Sequence, residues 1–508
     1  MYARGKGLGG SSLINFGVYL YGSGEDYNRW AELVDDDSWR WENVQRAFRA
    51  IEHYDVEGTQ QYARLANPSK EQHGHDGALK VGLPPVLEAG VVPQMEALRD
   101  AGEKMNLDPN SGDPMGVSVF PFSYSKEGRT TSAGAYLVNP PSNLEVWTDA
   151  TAERLVWDGK RVAGVTTADG RKGGMDRSIG KTRCAGADGH VASAKKEVIL
   201  CCGAIDTPRL LLLNGIGPEK ELEALGIQVK SHVPGVGKHL QDHVLAFMSV
   251  EVDGASNERY AFEANPQRVA EAEAAWKRDR TGAFALSHSC LWGGFLKLHQ
   301  LPTMAEFQAL APSQQAFLGR DTVPTYEFIN NCLLWPPGSD IARGNSYMTF
   351  LAFLLNPQSE GTVTLRSANP ADKPVIRLNY LEHPYDARVF REAIRATWQK
   401  LVLNPAVGPR VKRTMQGPDS LSDEDVDAFA RAHAGTVWHA NGTVKMGRTG
   451  DEGTCVDSGF RVRGVEGLRV VDLSVAPLTT NNHTQATAYL VGRMAAERLE
   501  GEYGLAGS

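Results

Sequence analysis

Short apolar stretches alternate with amphipathic segments along the chain. Residues 198–202 are continuously apolar, as in a strand that is covered on both faces. Gly203 then turns the chain, and Asp206 or Thr207 is a suitable helix N-cap with Pro208 close behind it. A strand that leads directly into a helix predicts a parallel α/β layer.

Further elements are predicted on both sides of this unit. Residues 168–194, rich in Gly, Lys, Arg and Asp, are interpreted as a surface excursion. Residues 251–336 lack parallel-sheet signals and are assigned to a substrate-side region. The predicted strands are 143–148, 161–165, 346–355, 362–365, 375–378 and 467–472, and the predicted helices are 385–403, 422–434 and 484–499.

Composition narrows the class of protein. The chain has 508 residues, 42% apolar and 22% charged, with a net charge of -8. This balance is typical of globular proteins and argues against disorder, collagen and nucleic-acid binding. The longest apolar stretch, residues 348–355, is far shorter than the roughly 20 residues that span a bilayer. The six cysteines form no Cys-x-x-Cys pair, which argues against a zinc ribbon.

The first candidate site is the glycine- and serine-rich motif RGKGLGGSSLIN at residues 4–15. Glycines allow positive φ angles and let a ligand approach the backbone. Ser11 or Ser12 is a suitable cap for a following helix, whose N–H groups would face an electron-rich ligand. A tight turn capped by serine explains the same residues equally well.

Two histidines near the C-terminus are the second candidate. His439 begins the loop HANGTVKMG, and His483 follows two asparagines. A single histidine in a polar loop is usually a hydrogen-bonded surface residue, but two in turn-rich segments are more suggestive. A histidine with a pKa near 6.5 suits the removal of a hydroxyl proton during alcohol oxidation. Trp292, Trp335, Tyr326 and Phe328 fit either a substrate pocket or ordinary aromatic packing.

Taken together, these motifs resemble those of the flavin-dependent glucose–methanol–choline (GMC) oxidoreductases. Several long motifs occur in the family's order, although Asn214 replaces the usual Ser in the second signature. The similar segments are residues 4–15, 26–30 (DYNRW), 203–217, 234–243 (PGVGKHLQDH), 439–447 and 467–474.

The resemblance implies an α/β fold with α+β character. An FAD-binding domain, with an incomplete doubly wound layer, would be interleaved with a substrate domain on a mostly antiparallel sheet. Residues 1–245 would form the FAD-binding region, 246–429 the substrate-binding region, and 430–508 a catalytic segment that completes the first. The implied activity is oxidation of the CH–OH group of a small-molecule alcohol, with hydride passing to flavin N5 and electrons to O2 or another acceptor.

The resemblance also implies roles for individual residues. His439 would be the principal base and His483 the second active-site residue, with no metal at the site. Ile14 stands where some relatives attach FAD through a histidine, so non-covalent FAD is expected. The expected cofactor contacts are Ser11, Asn15, Phe16, Gly17, Val18, Val146, Asp472, Thr484 and Gln485.

One departure from the family pattern concerns the start of the chain. Relatives open with a strand–Gly-x-Gly-x-x-Gly–helix unit of at least ~30 residues, whereas three residues precede the first signature here. The sequence therefore predicts that the dinucleotide cradle is missing. Because that start would also carry any signal peptide, localisation stays open. Two alternatives to alcohol oxidation are a non-redox lyase or cyclase on this fold, and a non-catalytic remnant.

Overall fold

The computed structural model describes residues 2–55, 62–84, 87, 90–125, 127–169, 189–253, 262, 265–286, 292–330 and 345–505. Within these ranges, the longer α-helices are Gly24–Val34, Trp41–Ile51, Val91–Asp100, Gly203–Leu213, Pro266–Asp279, Pro384–Thr397, Asp423–His433 and Gln485–Glu502. No helix of the described part is both long enough and apolar enough to cross a membrane.

Six strands form one antiparallel sheet, which we call the large sheet. Its strands, in spatial order, are Trp292–Leu296, Tyr326–Asn330, Ser346–Leu354, Val244–Val252 and Val411–Gln416, and Gly435–Thr436 also pairs with Val244–Val252. Most of these residues are buried, which explains their near-continuous apolar sequence.

The two faces of the large sheet pack differently. The outer face, which includes Met248, Phe350 and Phe328, packs in one core together with the helices Pro384–Thr397 and Asp423–His433. The inner face carries Leu245 and Phe353, together with Phe295, Glu327, Ile329, Leu351 and Phe247. Its apolar members form a separate cluster. Side chains alternate between faces along each strand, so the register fixes this division.

A parallel layer lies elsewhere in the described chain. Val198–Leu200 pairs in parallel with Leu468–Val470, and Glu52–Asp55 pairs in parallel with Leu79–Gly82. Ala150–Asp158, Arg161–Asp169 and Gly189–Ser193 form a separate antiparallel sheet. Short pairs complete the strands: Ile216–Gly217 with Ser231–His232, Thr362–Thr364 with Val375–Arg377, and Tyr124–Ser125 with Gly128–Arg129.

Several predicted elements are confirmed, and others differ for physical reasons. Ser422 caps the helix Asp423–His433 by accepting the N–H of Asp425 at 3.2 Å. The predicted start of the earlier helix is wrong, because it begins at Gly203 and encloses Pro208. Residues 143–148 are not a strand. Residues 362–364 and 375–377 pair with each other and not with the large sheet.

One prediction of burial is also wrong. The strand at Val198 ends at Leu200, so Cys201 and Cys202 follow it and are exposed. Of the two interpretations of Trp292, Tyr326 and Phe328, ordinary aromatic packing is confirmed, because these residues belong to the outer-face core on the side of the sheet away from Glu327. Trp335 and most of residues 168–194 lie outside the described residues.

His73 is a buried ion-paired residue near the first strand. Its Nδ1 lies 2.9 Å from Glu52 Oε1, and its Nε2 lies 3.3 Å from Asp108 Oδ1. The Tyr54 ring packs 3.8 Å from the imidazole. Burial alone opposes a charge on His73, but the hydrogen bonds and charges of Asp108 and Glu52 outweigh it and raise the pKa to about 9.

We expect this ion pair to make unfolding pH-dependent. Because the folded pKa lies above the unfolded value near 6.5, the stabilisation is complete below pH 6.5 and is lost as the pH rises through about 9, by roughly 3 kcal/mol. Urea unfolding between pH 6.5 and 9.5 measures it. The variant His73→Gln should flatten this dependence, whereas His75→Gln, at an exposed position two residues away, should preserve it. An equally steep dependence in His73→Gln would contradict the assignment.

Candidate active site

Two distant loops bring His439 and His483 together. The centroids of their rings are 5.1 Å apart, and the rings meet edge to face. His439 follows the short strand Gly435–Thr436, and His483 precedes the helix Gln485–Glu502. Burial, followed by the charges of His483 and His243, lowers the pKa of His439 well below 6.5. A neutral imidazole at this position can accept a proton at neutral pH.

A third histidine contacts His439 directly. The Nδ1 atoms of His243 and His439 are 3.0 Å apart, and His243 is fully buried. Burial, with a smaller contribution from His483, lowers the pKa of His243 to about 3. Because His243 is therefore neutral, one of the two Nδ1 atoms donates and the other accepts. The remaining His243 Nε2 is buried and has no hydrogen-bond partner among the described residues.

A carboxylate from the large sheet holds His483. Glu327 Oε1 lies 2.9 Å from His483 Nε2, and the Glu327 side chain is almost completely buried. The rings of Phe353 and Phe120 lie 6.0 and 6.3 Å from the His483 ring. The second histidine is thus oriented by its contact with one buried carboxylate and packed between aromatic side chains.

A second buried carboxylate, Asp242, fixes the backbone of the His439 loop. Its Oδ1 accepts the backbone N–H of His439 at 2.8 Å. Its Oδ2 accepts hydroxyl groups from Tyr2 at 3.0 Å, Tyr380 at 2.6 Å and Thr436 at 2.6 Å. Burial raises the pKa of Asp242 to about 6, and these hydrogen bonds oppose the rise. One carboxylate therefore ties four separate segments together.

Part of the predicted cofactor site is also brought together. The Asn15 amide donates to the side-chain oxygen of Gln485, and Asn15 Oδ1 accepts from Arg129 Nη1 at 2.6 Å. Gly17 donates its N–H to Asn15 Oδ1 at 3.1 Å. Its φ angle is +78°, and a Cβ would lie 2.2 Å from the Tyr124 ring, so only glycine fits.

The glycine-rich motif forms a short turn. Gly10–Leu13 is one 3-10 turn, and Gly9 at its N-cap has a φ angle of +103°. The serines do not cap a longer helix as predicted: Ser11 Oγ accepts the N–H of Gly5 at 3.2 Å, and Ser12 Oγ donates to the Gly9 carbonyl at 2.5 Å. Both serines hold the loop's own backbone in place.

The other predicted cofactor contacts differ in how far their side chains are exposed to solvent. Phe16 is 61% exposed and Val146 is 40% exposed, whereas Val18 is buried and bridges to Phe122. Thr484 is buried at the N-cap of the last helix. Within the described residues no contact joins Val146 to His439 or His483, so its role as a cofactor contact stays a prediction.

Asp472 lies where the two parallel strands end. Its Oδ2 accepts the Gly203 N–H at 3.0 Å and the Thr207 hydroxyl at 2.5 Å, and its Oδ1 accepts the Ser474 N–H at 2.8 Å. This capping explains why the helix begins at Gly203. In parallel α/β layers, ligands bind beyond the carboxyl ends of the strands, and Asp472 lies at that edge.

The donors and surfaces present fit an FAD molecule. The Gln485 Nε2 group, beside Asn15, is buried and finds no acceptor in the part of the chain that the structure describes, and flavin rings carry carbonyl and nitrogen acceptors. The exposed apolar side chains Phe16 and Val146 offer surfaces for planar rings. The turn at Gly9 and Gly10 has the backbone conformation that permits close approach of a ligand.

Sequence reasoning missed three residues of this site. Asp242 and His243 end the segment at residues 234–243. The sequence analysis identifies this segment as similar to the family but assigns no role to either side chain. Glu327 lies in the region that carried no readable motif. An acidic residue in an otherwise apolar strand, YEFIN at residues 326–330, is the signal that marks Glu327.

Comparisons with known proteins agree with these motifs. Two family models described as GMC oxidoreductase match the chain, one over residues 1–245 and the other over residues 357–492. The first match starts at residue 1, so it gives no support to the expectation that the family's N-terminal unit is missing.

Similar proteins share most of the chain. An oxygen-dependent choline dehydrogenase of Burkholderia lata is 33% identical over 513 residues, which covers 99% of this chain and 81% of the relative. One from Stenotrophomonas maltophilia is 32% identical, covering 99% and 82%. Aspergillus oryzae formate oxidase has the same fold, with a TM-score of 0.86, 24% identity, and coverage of 99% and 85%.

Proposed function

Because this chain belongs to the GMC oxidoreductase family and is an FAD-dependent oxidoreductase of CH–OH donors, we propose that His439 removes the hydroxyl proton of the alcohol. The observation that carries this role is the pairing of a neutral His439 with His483, 5.1 Å apart between ring centroids. Bound FAD would supply the acceptor for the hydride of the carbinol carbon. The chain's own residues supply the base and orient the alcohol.

The proposed role of His439 requires one particular tautomer at its contact with His243. For His439 to accept a proton at Nε2, its Nδ1 must carry the ring hydrogen and donate it to His243 Nδ1. A charged His243 would place two N–H groups against each other, and its burial prevents this charge. His243 therefore keeps the reactive nitrogen of His439 free for the substrate.

His483 and Glu327 form the second part of the proposed site. With Nε2 of His483 bound to Glu327, its Nδ1 is the ring nitrogen left to face the alcohol. Contact from this side would hold the hydroxyl group against His439 while the proton moves. In this assignment, Glu327 is a positioning residue that fixes the ring of His483.

The proposal extends to the division of the chain into domains, the residues that hold the cofactor, and the electron acceptor. Residues 1–245 with 430–508 form the FAD-binding part, and residues 246–429 the substrate-binding part. The cofactor is held without a covalent bond, through Ser11, Asn15 to Val18, Val146, Asp472, Thr484 and Gln485. Electrons pass to O2 or another acceptor, and choline, named for the similar dehydrogenases, is one candidate donor.

The pH dependence of alcohol oxidation tests the proposed base. A base acts only when deprotonated, and burial lowers the pKa of His439, so the rate of anaerobic flavin reduction should stay constant from pH 8 down to 6.5. It should fall only at lower pH. Stopped-flow absorbance of the flavin during reduction by a saturating alcohol measures this rate. Half-loss of the rate at or above pH 7 would contradict a depressed pKa.

A further inference from the structure

The segment before His483 is held by a buried carboxylate that the proposed function does not use. Asp26 lies in the first turn of the helix Gly24–Val34 and is completely buried. Its Oδ2 accepts the backbone N–H of Asn481 at 2.7 Å, and its Oδ1 accepts the side-chain amide of Asn481 at 2.6 Å. One carboxylate therefore fixes both the main chain and the side chain two residues before His483.

The charge of Asp26 is balanced by no cation of the described residues. No ion pair among them includes it, and the start of its helix supplies only a partial positive charge. Burial of a carboxylate without a cation is costly, so stability alone does not account for this residue. Its fit against Asn481 is close: Gly22 has a φ angle of +87°, and a Cβ there would lie 3.1 Å from the Asn481 carbonyl oxygen and 3.2 Å from Asp26 Oδ2.

Asn481 is bound in turn to Asn356 by a pair of amide hydrogen bonds. Asn481 Nδ2 donates to Asn356 Oδ1 at 3.1 Å, and Asn356 Nδ2 donates to Asn481 Oδ1 at 2.8 Å. Asn356 Nδ2 also donates to the carbonyl oxygen of Pro324 at 2.9 Å. Pro324 lies three residues before Glu327, the partner of His483. The network therefore joins the chain before His483 to the chain before Glu327.

The start of the same helix also contacts the segment before Glu327 directly. The hydroxyl oxygens of Ser23, the helix N-cap, and Thr322 are 3.0 Å apart. Both segments thus contact one helix terminus, and their ends meet where His483 Nε2 lies 2.9 Å from Glu327 Oε1. Since all of these groups are fixed to one element, a change at the helix start should alter the position of the ring.

We propose that Asp26 is a positioning residue for His483, which it aligns with Glu327 through Asn481 and Asn356. This inference rests on the proposed function, in which His483 holds the alcohol against the base. A carboxylate can only accept, so the two donors of Asn481 fix a single arrangement of this segment. Misplacement of a group by about 1 Å is enough to slow a reaction strongly, so loss of this anchor should reach the reaction rate.

Asp26→Asn tests the proposal on the FAD-loaded enzyme. The side chain keeps its shape, but a donor amide then faces a donor of Asn481, so flavin reduction by saturating choline or benzyl alcohol should slow about fivefold. Asp35→Asn, the same change at the exposed C-cap of the same helix, is the matched control and should reduce flavin at the wild-type rate. An unchanged rate in Asp26→Asn would overturn the proposal.

The same substitution in a His483→Ala background separates positioning from a general structural effect. If Asp26 acts through the ring of His483, its substitution should change the rate by less than about twofold once that ring is absent. An equal loss in both backgrounds would overturn the proposal. Asn356→Gly is the second variant: it removes the linking amide, and the φ angle of +55° at this position suits glycine. It should slow flavin reduction about fivefold, again only where His483 is present.

A proton NMR signal of the His483 ring reports its position without turnover. Because the Glu327 carboxylate can only accept, Nε2 of His483 carries the hydrogen of their contact and should give a downfield signal that His483→Ala lacks. The signal should shift or disappear in Asp26→Asn and persist in Asp35→Asn. An unchanged signal in Asp26→Asn would overturn the positioning role. A shifted signal together with wild-type flavin reduction in His483→Ala would keep that role and overturn the proposed function of His483.

Discussion

Replacing His439 with alanine is expected to slow flavin reduction by the alcohol by about 10²-fold or more. The substitution removes the proposed acceptor of the hydroxyl proton, and His243, fully buried behind it, is not placed to replace it. Rapid mixing of the oxidised enzyme with alcohol under anaerobic conditions measures the effect.

The control for this variant is His433→Ala, at an exposed histidine six residues earlier in the chain. It should reduce flavin at the wild-type rate. Flavin content and thermal unfolding of both variants should match the wild type, so that loss of the base is separated from loss of the cofactor. A wild-type reduction rate in His439→Ala would refute the role of this histidine.

Removing the charge of Asp242 is the second change with a large expected effect. Asp242→Asn keeps the shape of the side chain, but its amide nitrogen cannot accept from the donors that now converge on the carboxylate. Leaving buried donors unsatisfied costs about 1–3 kcal/mol each, so the His439 loop should shift and flavin reduction should slow by about 10-fold or more.

The pH profile distinguishes this positioning role from simple destabilisation. Burial raises the pKa of Asp242 to about 6, whereas that of His439 lies well below 6.5, so we expect protonation of Asp242 to lower the rate of the wild type near pH 6. This acid limb should vanish in Asp242→Asn. Asp158→Asn, at an exposed strand end, should leave rate and profile unchanged. An acid limb near pH 6 that persists in Asp242→Asn would show that another group controls it.

Much of the fold could be predicted because local signals dominate it. The apolar stretch at Ser346–Leu354 and the Ser422 cap are properties of short segments, and both are found as expected. The early start of the helix at Gly203 was not predictable, since the side chain that caps it, Asp472, lies 269 positions away. Propensity identified Pro208 as a first-turn residue, and this tertiary contact overrode it.

The candidate site likewise has residues that the sequence predicts and residues that it does not. Motifs indicated His439 and His483, and the structure brings them together. The 3.0 Å contact between His243 and His439 and the pairing of Glu327 with His483 depend on the register of the large sheet, which no single segment encodes. Residues that orient a reactive group are harder to predict than the group itself, because their identity is set by distance in space.

Tyr2, Tyr380 and the His439 loop converge on the carboxylate of Asp242, and this arrangement has a consequence for folding. These contacts join residues that are 138 to 240 positions apart, so the entropy cost of closing long loops opposes their formation. In a partly folded chain, before these contacts form, the backbone of the His439 loop is therefore not held in place.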